Sequence, residues 1–132
     1  MKHFGLSSEE RIKSKKDFQK IFASGKIFLS DKKNIKALFV IEGEPKKPGV
    51  KIATAVFKKA GNAVWRNKLK RLIRESYRLN KDILADCVLE KKLLVKIVFS
   101  VHFLNQKKNK NMKLEIIMPD IVDLMLKIKG AL

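Results

Sequence analysis

The sequence predicts an α+β fold built on one mixed sheet, and three observations carry that expectation. Two compact apolar runs, Ile35 to Ile41 and Leu93 to Val101, are rich in β-branched and aromatic residues, as strands are. Between them lies a long segment, Trp65 to Leu79, whose apolar and charged residues separate at 100° per residue, as on an amphipathic helix. Shorter stretches of helical spacing stand near both ends of the chain. The resulting order, α-β-β-β-α-β-α, fits a two-layer α/β sandwich with a sheet of about four strands and three helices. A chain of 132 residues suits one domain with a modest core, residues 1–132, with 1–10 as an arm.

The first helix is expected over Lys15 to Ala23, where Phe18, Ile21 and Phe22 share a side, Ser14 can cap the start and Gly25 ends it. The strand Ile35 to Ile41 follows, and Gly43-Glu44-Pro45-Lys46-Lys47-Pro48-Gly49 reads as a turn. In the next strand, Val50 to Phe57, Ile52, Thr54 and Val56 alternate with Ala53, Ala55 and Phe57. The long helix begins near Gly61-Asn62-Ala63 and ends around Asn80. After the strand Leu93 to Val101, His102 to Asn111 is a lysine-rich loop. The last helix is placed over Asp120 to Lys129, with Pro119 in its first turn and Gly130 beyond it.

Charge narrows the function. The chain carries 31 Lys and Arg against 13 Asp and Glu, a formal net charge of +18. An excess this large, spread through Lys13 to Lys20, Lys32 to Lys36 and Lys107 to Lys113, points to a polyanionic partner. It is densest between Lys58 and Arg78, where eight bases (Lys58, Lys59, Arg66, Lys68, Lys70, Arg71, Arg74 and Arg78) meet one acid, Glu75. Arg66, Lys70 and Arg74 recur at one-turn intervals, about 6 Å along the axis, which matches the scale of phosphate spacing. Asn67 among them can donate to a phosphate or accept from a hydroxyl. Trp65 falls on the apolar side and is expected to pack in the core. A membrane-surface protein would confine its charge to one amphipathic helix beside exposed apolar residues, and this chain does not.

The inventory for catalysis is thin. His3, His102 and Cys87 give no metal-ligand spacing and no nucleophile-base pair, and the acids show no cluster suited to two-metal phosphodiester cleavage. Ala60-Gly61-Asn62 lacks the spacing of a nucleotide loop. A single cysteine, no signal-peptide core and no long uncharged apolar run lead us to expect a cytoplasmic protein.

The segment Lys58-Lys59-Ala60-Gly61-Asn62-Ala63-Val64-Trp65-Arg66-Asn67-Lys68-Leu69-Lys70-Arg71-Leu72-Ile73-Arg74 closely resembles the core motif of the protein subunit of bacterial ribonuclease P. Lys16-Asp17-Phe18-Gln19-Lys20-Ile21-Phe22-Ala23-Ser24-Gly25 resembles that family's first helix and following turn. The likeness runs in order from about residue 11 to 80. One position departs from it, Lys68, where the family carries arginine; the charge survives but bidentate phosphate geometry does not.

The resemblance implies a left-handed β-α-β crossover through the central helix and a last helix starting nearer Met112. It implies a protein that assists removal of the 5′ leader from precursor tRNA, the catalysis and its magnesium belonging to the RNA subunit, with no cofactor in the protein itself. The implied partners are ribonuclease P RNA and precursor tRNA, with no membrane and no protein partner required. Arg66, Asn67, Lys68, Lys70, Arg71 and Arg74 would face the catalytic RNA. Phe18, Phe22 and Phe39 would line the path of the single-stranded leader, with Lys58 and Lys59 at its edge. Phe57 is a weaker candidate, since the family often has a small polar residue there. The alternative is a ribosome-associated or general structured-RNA-binding protein, which needs the basic face but no aromatic cleft.

Overall fold

A computed structural model describes residues 8–132. Strands β1 (Lys26–Leu29), β2 (Ile35–Gly43), β3 (Gly49–Ala55) and β4 (Leu93–Val101) form one sheet in the order β1-β2-β4-β3. β1 and β4 run antiparallel to β2, and β3 runs parallel to β4. The parallel pair is joined through two helices, α2 (Ala63–Leu79) and α3 (Asp82–Lys91), while α1 (Lys15–Ser24) precedes the sheet and α4 (Leu114–Ala131) follows it. The α+β class and the four-stranded mixed sheet agree with the sequence reading. Among the described residues the α-helices number four, α3 being one that the sequence reading does not contain.

The pleat divides the apolar residues into two clusters. Ile35, Ala37 and Phe39 of β2 and Val95, Ile97, Phe99 and Val101 of β4 join α2, α3 and α4 in the main core. Leu38 and Val98 point the other way and meet Ile12 and Ile21 in a small second cluster beneath α1. The sheet therefore has a thick helical layer on one face and a single short helix over part of the other.

Local chemistry sets the helix ends. The Ser14 hydroxyl accepts from the Asp17 N–H at 3.4 Å, and Gly25 N–H donates to the Ile21 carbonyl at 2.8 Å. A Cβ at position 25 would lie 2.4 Å from that carbonyl oxygen, so only glycine fits the turn. In α2 the buried row is Trp65, Leu69, Ile73 and Tyr77, an i,i+4 ridge of the kind that packs into a neighbouring helix, here α4. Leu79, expected on the apolar arc, is instead exposed, and Tyr77 takes the inward place.

The last helix starts at Leu114, six residues before the expected Asp120, and encloses both Pro119 and Gly130. Pro119 forfeits one backbone hydrogen bond, and proline in a helix interior costs about 3 kcal/mol. Ile117, fully buried one turn before Ile121, extends the apolar stripe Ile121, Leu124, Met125 and Ile128 towards the start. Burying an isoleucine recovers about 1.5–3 kcal/mol, and the added turn brings further contacts that offset the rest. The arm expected over 1–10 lies mostly outside the described residues; its last three, Ser8–Glu10, form a 3₁₀ turn. From there Arg11 bridges to Ile52, and Ile12 N–H donates to the Ile52 carbonyl at 3.0 Å, so the chain covers part of the outer edge of β3.

Candidate nucleic-acid interface

The start of α2 is held by a clasp that joins three segments. The Asn62 side chain accepts from the Trp65 N–H at 2.9 Å as N-cap. Its own N–H donates to Gln106 Oε1 at 2.8 Å, and Gln106 N–H donates to the Ala60 carbonyl at 2.7 Å. Trp65 Nε1 reaches the Asn109 carbonyl at 2.8 Å, and Arg66 Nε reaches the Gly61 carbonyl at 3.0 Å. The loop after β4 is thereby fastened to α2. Nothing in the sequence marked Gln106 or Asn109 for this role, because their partners lie some forty residues away.

With its apolar row turned to α4, α2 presents Asn67, Lys68 and Arg71 fully to solvent and Arg66, Lys70 and Arg74 partly so. Seven carboxylates are engaged elsewhere: Glu9 with Lys47, Glu10 with Lys81, Asp17 and Glu42 with Lys96, Asp31 and Asp123 with Lys127, and Glu75 with Arg78. Among the described residues, no carboxylate pairs with Arg66, Lys68, Lys70, Arg71 or Arg74. Burial, with the charges of Arg11 and Arg71 beside it, pulls the Arg74 guanidinium below its usual range. The helix thus carries an uncompensated strip of positive charge, which a polyanion would neutralise.

Arg74 also joins this strip to a groove. Arg11, Ile12, Phe18, Ile52, Ala53, Thr54 and Arg74 line a hollow of about 370 Å³ between α1 and the edge of β3. Its wall is Phe18, its floor is backbone and small side chains, and its rim is cationic. Phe22, one turn along α1 from Phe18, is 52 % exposed. Lys58 and Lys59 stand exposed in the 3₁₀ turn Lys58–Ala60 that leads from β3 to α2, just after the exposed Phe57. Arg11 was missed in the sequence because its backbone pairing with β3, which brings it near Arg74, leaves no local pattern.

Phe39 is a correction. It is fully buried in the main core with its ring 5.1 Å from that of Phe28, on the sheet face away from α1. It cannot line a groove beside Phe18. On the α1 face of β2 the corresponding places are held by Leu38 and Val40. Trp65, by contrast, is packed in the core as expected.

Among the described residues no group of three or more His, Cys, Asp or Glu could hold a metal ion, and no helix is long and apolar enough to cross a membrane. If the cationic strip is uncompensated in the free protein, sulfate should raise the melting temperature more than chloride at matched ionic strength. An anion at 100 times its dissociation constant adds about 2.7 kcal/mol, or roughly 8–13 °C for a protein of this size. Superimposed melting curves in the two salts would count against it.

Fold and surface together define an α+β protein whose basic helix is continuous with an aromatic-walled groove. The family model described as Ribonuclease P matches residues 6–119, and the chain belongs to that family. The ribonuclease P protein component of Dictyoglomus turgidum is 37 % identical over 108 residues, covering 82 % of this chain and 86 % of that protein. That of Porphyromonas gingivalis is 34 % identical over 99 residues, covering 74 % and 71 %. Among solved structures, the RNase P protein of Thermotoga maritima superposes with a TM-score of 0.70 at 23 % identity, covering 89 % of this chain and 96 % of that one. The Staphylococcus aureus RNase P protein gives a TM-score of 0.65 at 26 % identity over 90 % and 94 %.

Proposed function

We propose that this protein is the accessory subunit of a ribonuclease P ribonucleoprotein, acting in the cytoplasm on precursor tRNA. The RNA subunit carries the hydrolysis and its magnesium ions. The protein binds that RNA through Arg66, Asn67, Lys68, Lys70, Arg71 and Arg74, and receives the single-stranded 5′ leader in the groove of Phe18 and Phe22, with Lys58 and Lys59 at its edge. The observation that carries this reading is the continuity of the unpaired cationic strip of α2 with the aromatic groove through Arg74. A strip alone would serve any polyanion; a groove with an aromatic wall suits unstacked bases, whose faces stack without regard to sequence.

The contribution to the reaction is electrostatic. Cations placed between two RNA molecules lower their mutual repulsion, which raises substrate affinity and reduces the magnesium required. The test is cleavage of precursor tRNA by the cognate RNA at low magnesium, with and without the protein, on substrates carrying a long leader or a leader of one nucleotide. Rescue that favours the long leader is expected. Phe18→Ala should reduce that preference by about tenfold, one stacking contact being worth roughly 1–3 kcal/mol. Binding to RNA without rescue would sink the reading.

A further inference from the structure

Helix α1 has a weak hold on the sheet. Of its ten residues only Ile21 is buried, in a cluster with Ile12, Leu38 and Val98. Phe18 packs part-buried against the same cluster, so the apolar hold is one small patch around Ile21, which fixes the height of the helix over the sheet more firmly than its rotation. The second point of attachment is Lys96, in the middle of β4 on the α1 face and only 9 % exposed. Its Nζ donates to Asp17 Oδ1 at 2.9 Å, in the first turn of α1, and lies 2.8 Å from Glu42 Oε2 on β2. Asp17 is the immediate neighbour of Phe18, the wall of the groove.

We infer that Lys96 is a positioning residue for leader recognition: its strap to Asp17 sets the rotation of α1 and so the placing of Phe18 and Phe22. The inference rests on the leader reading above. Burial opposes the charge on Lys96, but the hydrogen bonds it donates to Glu42 and Asp17 more than offset that and raise its pKa above the ordinary value. A buried ion pair contributes little net stability compared with apolar residues of similar volume, and its use is to specify geometry. An apolar residue at 96 would hold the sheet together equally well and would leave α1 untethered. The triad also explains why a lysine interrupts the apolar strand Leu93–Val101.

Four variants separate geometry from stability. Lys96→Met keeps the buried stem and removes the charge, Lys96→Arg keeps the charge, Asp17→Asn weakens the strap from its more exposed end, and Glu42→Gln removes only the carboxylate that does not reach α1. Each is measured for backbone amide exchange in the free protein, and, with the ribonuclease P RNA, for the ratio of affinities for long-leader and one-nucleotide-leader precursor tRNA. In Lys96→Met and Asp17→Asn, exchange in Phe18–Ser24 should quicken while α2 stays protected. Their affinity ratio should fall by about tenfold, as for one lost stack. Glu42→Gln should retain the ratio, and Lys96→Arg should restore it. An unchanged ratio in Lys96→Met and Asp17→Asn, or an equal loss on both substrates, would overturn the inference. If the wild-type protein shows no leader preference, the leader reading fails and the recognition role of Lys96 fails with it. The exchange data then report on the strap separately.

Discussion

Replacing Lys70, Arg71 and Arg74 together by glutamine should weaken binding to ribonuclease P RNA by about two orders of magnitude at 0.1 M salt, with no loss of stability in the free protein. Each phosphate contact contributes a slope of about 0.7–0.9 to the dependence of log affinity on log salt, so three contacts supply roughly two decades between 1 M and 0.1 M. The salt slope should fall by about 2–3 in parallel. Stability should hold or rise because none of the three pairs with a carboxylate among the described residues, and Arg74 is crowded by Arg11 and Arg71. The sign follows from the burial of Arg74 first and from that crowding second. A cation whose folded pKa is depressed costs stability wherever it is charged, and arginine is charged throughout the neutral range. Glutamine keeps helix propensity and much of the aliphatic cover. The sulfate-induced rise in melting temperature should shrink in the same variant. A filter-binding titration over salt, with a thermal melt beside it, checks both halves. Loss of affinity accompanied by an equal loss of stability would mean that these residues hold the fold instead of the RNA.

Much of the basic strip was legible in the sequence because it depends on local chemistry. Asn62 caps α2, and the bases on its far side follow from a 100° step, so the strip could be drawn before any packing was known. Ser14 and Gly25 bounded α1 for the same reason. The missed pieces are those whose signals are absent or non-local. Before helix α3 the N-cap position is held by Lys81, whose φ of −50° and ψ of −35° are already helical and whose side chain caps nothing. After it the C-cap position is held by Lys92, left-handed with φ 55°, where a glycine would have announced the stop. Only Leu84 and Val88 of α3 are buried, too short a stripe to count as periodic. Strand β1 has four residues and no alternation to read.

Phe39 shows how a single-residue error of register reverses a functional assignment. Adjacent residues of a strand face opposite sides, so the choice between Leu38 and Phe39 is a choice between groove and core. The alternation already marks the faces: Lys36 and Glu42 share a face with Leu38 and Val40, and a face with charges at both ends is not the main core. The place of Phe39 on the leader path was implied by the resemblance alone, and the alternation of β2 is the better guide. Pro119 is the converse case, a local signal overridden by the burial of Ile117.

Trp65→Ala should be the most damaging single substitution in the interface region, costing about 3–5 kcal/mol as large aromatic truncations in cores do. Small proteins have about 5–15 kcal/mol in total, so the variant should be partly unfolded at modest denaturant. The ring is 4 % exposed and belongs to the ridge against α4, and its Nε1 ties down the loop after β4 through Asn109. Trp65→Phe keeps most of the packing and loses only that donor, for about 1–2 kcal/mol. Gly61 supplies the coupling test. Its φ of 172° is extended backbone open to any residue, so conformation does not demand glycine there. Space does: a Cβ would lie 2.6 Å from Trp65 Cε3 and 2.9 Å from Gln106 Cβ. Gly61→Ala should therefore cost about 1–3 kcal/mol by overpacking in the wild-type background. Most of that cost should vanish in Trp65→Ala, where only the Gln106 contact remains. Urea denaturation of the four proteins gives the interaction free energy directly. Additive costs would mean that the alanine methyl group is accommodated without moving the indole. The clasp between α2 and the lysine-rich loop would then be looser than the packing of Trp65 against position 61 implies.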